Sequence, residues 1–207
     1  MKMIKMQSEN KYLGDDKFKK FLEHYHCPTP LEVVKMKFSG AICSPNLQLR
    51  PTDVISSFWP ENRAPRLETK DEADLFFKFF MGLWDELFAD IKKNQLELPV
   101  YDKPANASEF AALCRARYDQ IEYGFVEGFW GGQENLKLPF YLAELIDSLS
   151  QMAEVYATLA QKSETQSEID NLKKHFRATD AMVEKAIAFL IENSVLPRIE
   201  SLQRTIH

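Results

Sequence analysis

Two histidines and a cysteine fall within four positions at HYHC, residues 24–27. Those residue types serve as metal ligands or as a Cys/His nucleophile pair. The helical run before them sets their directions. With Phe18, Phe21, Leu22 and Tyr25 on one stripe, His24 and His26 lie about 200° apart around a helix axis and cannot share one ion. Glu23 and His26 form a Glu-x-x-His pair, the spacing found in di-iron bundles, but that site needs a second such pair. The other histidines, His175 and His207, have Leu172 and Arg204 three positions earlier. The chain therefore supplies no complete metal set, and no metal or cofactor is expected. Cys27 lacks any local signature of a nucleophile, and a packed helix-end thiol is the simpler expectation.

The remaining chemical candidates resolve similarly. The acidic pairs Asp71-Glu72 and Asp85-Glu86 sit in a first helical turn or opposite an apolar stripe, where carboxylates serve as caps or solvated groups. GFVEGFWGG, residues 124–132, is glycine-rich but lies within and at the end of a helix. A nucleotide loop requires a strand-to-helix turn instead. Gly124 and Gly128 leave one helix edge without side chains, which admits a second helix or a bound peptide backbone. Phe58-Trp59 and Phe129-Trp130 stand at helix ends beside loops, where large aromatics either plug a bundle or form a contact patch. These six residues (Phe58, Trp59, Gly124, Gly128, Phe129 and Trp130) make the candidate interaction patch. Phe80, Trp84 and Tyr123 make an alternative small-molecule pocket.

Helices must position all of these residues. Glycine is scarce, at 7 of 207 residues, and no useful strand-period alternation occurs. The predicted helices start near Asp15, at Thr29-Pro30 with a capping box to Glu32, at Pro51, at Thr69 with a box to Glu72, and at Ser108. The fourth carries the broadest apolar face: Leu75, Phe76, Phe79, Phe80, Leu83, Trp84, Leu87, Phe88 and Ile91, widened by Phe77 and Met81. The fifth has Phe110, Leu113, Cys114, Ile121, Phe125 and Phe129 inward and stops at Gly131-Gly132. Beyond residue 138, Leu142, Leu145, Leu149, Met152, Tyr156 and Leu159 recur three and four apart. Ile169, Leu172, Phe176, Thr179, Val183, Ala186 and Leu190 repeat that spacing after the polar QKSETQSE. Pro197 bends or ends the helix before Ile199, Leu202 and Ile206. The predicted fold is all-α: a multi-helix orthogonal or antiparallel bundle spanning 12–207 as one domain, with 138–207 as a C-terminal helical hairpin and 1–11 as a flexible N-terminus.

Composition excludes several classes. A net charge of -5 argues against a general nucleic-acid binder, which needs a concentrated basic face. Three widely spaced cysteines, Cys27, Cys43 and Cys114, fit a reducing compartment better than a disulfide framework. The charges in MKMIKMQSEN interrupt any signal-peptide core, and Lys78, Asp85, Glu86 and Asp90 make the most apolar segment unfit to span a bilayer. A cytoplasmic protein without membrane association is expected.

Three pieces resemble the YecA/YgfB-like family of bacterial helical proteins. One is the rhythm of a hydrophobic helix, Ser44-Pro45, then Pro51 to Phe58. Another is the long helix from Asp71 to Asn94. The third is YGFVEGF, similar to the family's Gly-Phe-x-x-Gly signature at Gly124, Phe125 and Gly128. Together they cover residues 18–160. Lys35 and Met36 stand where His-Gly or Asp-Gly is usual, Ile121 stands where Trp is common, and the C-terminal zinc motif of many members is absent. The resemblance implies an all-α fold without established enzymatic activity and supplies no catalytic residues. The expected function is a non-enzymatic, protein-binding adaptor or regulator, with homodimerisation through the C-terminal hairpin as a further option. The alternatives are a small-molecule binder or enzyme with an aromatic pocket, and a peptide-binding chaperone similar in length and helix content to redox-enzyme maturation chaperones.

Overall fold

The computed structural model describes residues 11–133, 136–165 and 169–205. Residues 1–10 of the N-terminal segment, the 166–168 part of the polar break, and Ile206 and His207 lie outside the described residues. The helices are α1 (Asp15–His24), α2 (Leu31–Cys43), α3 (Pro51–Ser56), α4 (Lys70–Lys92), α5 (Ala107–Asp119), α6 (Glu127–Trp130), α7 (Phe140–Thr165), α8 (Ile169–Leu190) and α9 (Leu196–Thr205). No strand occurs among the described residues, so the protein is an all-α bundle. A π-helical segment, Gln120–Val126, joins α5 to α6 without a break, and another, Ile191–Val195, joins α8 to α9.

One continuous core draws on α1 through α8 and on both π segments. Its N-terminal half centres on a cluster of packed aromatic rings set among aliphatic side chains. Phe80 of α4 is fully buried, edge-on to Phe18 at 4.9 Å and stacked on Phe58 at 5.8 Å. Trp59 stacks on Phe76 at 6.0 Å, and Phe38 of α2 lies edge-on to Trp84 at 5.3 Å. The apolar face of α4 is narrower than its sequence implied. Leu75, Phe77 and Phe88 are exposed and Trp84 is half-buried, because α1 and α2 cover only one side of the helix.

Glycines set how closely α2 approaches the helix after it. A Cβ at Gly40 would collide with the Phe125 carbonyl, and one at Gly128 with the carbonyl of Lys37. Without those side chains the two backbones lie in contact, and α2 makes its most extensive interfaces with the first π segment and α6. The π insertion changes the angular register after Asp119, which a uniform 3.6-residue reading of residues 107–130 does not capture.

Helix starts depart from expectation at two places. Thr29 does not cap α2: Pro30 occupies the N-cap position, and the Thr29 hydroxyl donates to the Phe58 carbonyl at 2.8 Å. Asn106, not Ser108, caps α5, accepting from the Glu109 amide at 2.9 Å. The Thr69 cap forms, with its hydroxyl 3.2 Å from the Glu72 amide, while the Glu72 carboxylate reaches back one residue further to the Glu68 amide. The C-terminal helices pack as a hairpin, and α9 then returns to α2, where Arg198 donates to the Ile42 carbonyl at 3.1 Å. That guanidinium satisfies the orphan carbonyls at the end of α2, where a helix terminus favours a cation.

Candidate functional site

The HYHC stretch forms a joint between the end of α1 and the turn after α3. Helix α1 ends at His24, and His26 takes a left-handed turn at φ 48°. Among the described residues, no three His, Cys, Asp or Glu groups gather closely enough to hold a metal ion. The Cys27 thiol lies 3.5 Å from the Phe58 carbonyl, and the Trp59 indole donates to the Tyr25 carbonyl at 3.1 Å. Two stretches that look independent in sequence, HYHC and FWP, thus lock together. All three thiols are free. Burial pushes Cys27 above the ordinary thiol value and drives Cys43 and Cys114 up to about 12, which leaves each poorly suited to act as a thiolate nucleophile.

The candidate patch divides. Phe58, Trp59 and Phe129 are buried at 1%, 7% and 0% exposure, so they are core plugs and present no ring to a partner. The physical reason is local: α3 turns both Phe58 and Trp59 onto α4, and the indole N–H finds its acceptor inside. Gly124 faces α2, where an added Cβ would sit 2.8 Å from that of Met36. Gly128 and Trp130 remain, and both line a cleft of about 670 Å³ between α3 and the end of α6. The alternative pocket does not assemble. Phe80 is enclosed at the centre of the aromatic core, whereas Tyr123 is half-exposed and pairs with Tyr118 at 5.6 Å.

The cleft is built from four pieces of chain. Lys37 comes from α2, and Leu49 from the loop after it. Asp53, Val54 and Ser56 come from α3, with Ser57 and Asn62 just after it. Glu127, Gly128, Trp130, Gly131, Gly132 and Gln133 close the other wall. Gly131 adopts the left-handed conformation that ends α6, with φ 56° and its amide bonded to the Glu127 carbonyl at 2.9 Å. A Cβ there would meet the Leu49 side chain at 2.6 Å, so this glycine lets the Leu49 loop close over the helix end. Lys37 pairs with Glu127 at 2.8 Å, and Arg50 pairs with Asp53 at 2.8 Å. Hydrogen bonds from Arg50 hold the Asp53 carboxyl below its ordinary range. The cleft has an apolar base of Leu49, Val54 and Trp130 with a polar rim, and its volume falls within the roughly 300–1,000 Å³ usual for ligand sites.

A second polar assembly lies in the C-terminal half. Arg117, 2% exposed, carries its Nε 3.1 Å from Asp180 Oδ1, a contact of charge rather than an aligned hydrogen bond. Its other nitrogens donate to Gln120 Oε1 at 2.7 Å and to the Pro99 carbonyl at 3.1 Å. Tyr156 donates to Asp180 Oδ1 at 2.7 Å. Tyr101 and Phe176 place their rings 5.6 and 5.9 Å from the guanidinium carbon. Burial raises the Asp180 carboxyl pKa, an effect that Arg117 and Tyr156 only partly offset. The network ties α5, α7, α8 and the loop at residues 99–101 into one unit. Sequence reasoning missed it, although the signal was present: Arg117 falls on the inward stripe of Phe110, Cys114 and Ile121, where a charge requires a partner.

Comparison with family models, with curated proteins and with solved structures yields no match to this chain. Among the described residues, no helix is long and apolar enough to cross a membrane.

Proposed function

We propose that this chain is a non-enzymatic, protein-binding adaptor or regulator whose partner seats a segment in the cleft beside Trp130. The observation that carries this reading is the cleft itself: an open site with an apolar base, a hydrogen-bonding rim and a half-buried tryptophan, the kind of residue that anchors interfaces. The thiols, pushed upward by burial, give no support to a covalent mechanism. The YecA/YgfB-like resemblance belongs to the same proposal, since Gly128 of its Gly-Phe-x-x-Gly signature lies on the cleft wall. A cytoplasmic setting also fits the three free cysteines.

The test is affinity capture of the tagged protein after mild cross-linking, repeated with Trp130→Ala and Trp59→Ala. Trp130→Ala should lose a recurring partner while its circular dichroism stays helical. Retention of every partner by Trp130→Ala overturns the reading. Trp59→Ala serves as the contrast, because it removes a core ring and should lower Tm before it affects any surface.

A further inference from the structure

We infer that the outer face of the α7–α8 hairpin is a homodimer interface. A second copy of this chain lays its own hairpin on that face, so that α8 of each copy runs beside α7 of the other. The inference is independent of the cleft beside Trp130. Helices α7 and α8 run antiparallel, with the Tyr156 hydroxyl on Asp180 and its ring against Phe176. On their outer side they bound a groove of about 470 Å³, with Val155, Thr158 and Leu159 on one wall and Leu172 and His175 on the other. Steps of three and four residues extend both walls along the helices. From Val155 the wall of α7 runs back to Glu144 and Tyr141, and from His175 the wall of α8 runs on to Met182, Lys185 and Phe189. Tyr141, Val155, Met182 and Phe189 are large and apolar yet 40–56% exposed, so no described element covers this face.

Size and charge both suit a second copy. Helix α8 has 22 residues and spans about 33 Å, so the two helices side by side present about 650 Å². Two such faces bury about 1,300 Å², within the roughly 1,200–2,000 Å² of a stable interface. The charges are divided between the walls: Glu144 and Glu154 on α7, His175 and Lys185 on α8. Lys162, at the far end of α7, has a contact of its own. Among the described residues, Glu144, Glu154 and Lys185 take part in no ion pair. A two-fold axis parallel to the hairpin brings α8 of one copy against α7 of the other at the same height. Because Tyr156 is level with Phe176 and Asp180, Lys185 then stands opposite Glu144, His175 opposite Glu154, and Phe189 opposite Tyr141. Every helix gains an antiparallel neighbour, as in a four-helix bundle, and symmetry makes each pairing twice.

The test is sedimentation equilibrium of the full chain over a micromolar concentration series. The wild type should sediment at twice the monomer mass. Met182→Glu and Phe189→Glu, both at exposed positions, should raise the dimer dissociation constant about a hundredfold while helical circular dichroism is kept. Lys185→Glu and Glu144→Lys should each weaken the dimer about tenfold, and the two combined should restore it. That rescue reports the facing walls rather than the fold, since neither charge is paired within the chain. A monomer at every concentration overturns the inference. A dimer indifferent to Met182→Glu and Phe189→Glu overturns the choice of surface. A charge reversal that the double variant does not rescue overturns the arrangement of α8 against α7.

Discussion

Around Phe80, the core is made from rings of α1, α2, α4 and the loop after α3, nearly all apolar. Around Arg117, it is made from a guanidinium, a carboxylate, a phenol and an amide between α5, α7 and α8. Both regions bury large side chains in the same continuous core. Their tolerance to change should differ sharply. Rings enforce shape through dispersion and edge-to-face contacts, and a lost ring leaves a void. Charges enforce pairing, and a lost partner leaves an uncompensated charge.

The largest expected effects test that contrast directly. Asp180→Ala strands the Arg117 guanidinium and should cost about 3–5 kcal/mol in urea unfolding. Phe80→Ala should cost a similar amount, about 3–5 kcal/mol, through the cavity it opens. The two differ in rescue. Arg117→Met combined with Asp180→Leu should recover most of the stability, since apolar residues of similar size often replace a buried ion pair without loss. Phe80→Leu should recover only part, because every neighbouring ring loses a contact surface. If the double substitution is as damaging as Asp180→Ala alone, the polar unit contributes more than pairing, and the contrast between the halves fails.

Much of this architecture was legible in the sequence. The aromatic half announces itself through the stripe of Phe76, Phe79, Phe80 and Leu83, because apolar periodicity records burial directly. The stop at Gly131 is equally visible, since its left-handed turn needs glycine. The candidate site was only partly legible. Gly128 and Trp130 reach the cleft, and the inward stripe of the fifth helix already held Phe129, but periodicity gives no direction for Phe58 or Trp59, which lie where the chain turns after α3. Leu49 and Asn62 sit in connections whose conformation has no period at all, so their place in the cleft was not readable. The polar unit was hidden because its members lie 63 positions apart, at Arg117 and Asp180, and only the packing of α5 against the hairpin brings them together.

A smaller effect, opposite in sign at two aspartates, sharpens the comparison. For Asp15, burial alone would raise the carboxyl pKa, but hydrogen bonds from Lys35 and Tyr12 outweigh it and hold the group below its ordinary range. Its stabilising contribution is therefore present above the ordinary carboxylate pKa and is lost as pH falls through the lowered value. Asp180 is shifted upward by burial, so its contribution is fully present below the ordinary value and declines as pH rises through the raised one. Stability measured against pH should show wild type gaining over Asp15→Asn as pH increases from the acid range. Against Asp180→Asn, wild type should lose ground over a higher interval, from the ordinary carboxylate value up through the raised one. Parallel profiles for the two variants would mean that these carboxyls do not experience the different surroundings that separate the two halves.

The smallest effect concerns the polar tie that the aromatic half does possess. Thr69 and Thr29 stand in similar sequence settings, each three residues before a glutamate, yet only Thr69 caps a helix. Thr69→Ala should cost about 1 kcal/mol and speed amide exchange in the first turn of α4, near Glu72. Thr29→Ala removes the donor to the Phe58 carbonyl, a net loss of about 1 kcal/mol, and should leave the first turn of α2 as protected as before. Its exchange effect should appear instead at the joint between residues 25–29 and Phe58-Trp59. There the indole of Trp59 still holds the Tyr25 carbonyl, so the joint loosens without opening. Faster exchange in α2 on Thr29→Ala would restore Thr29 as a cap, and the tie between the HYHC turn and the aromatic core would then rest on Trp59 and Cys27 alone.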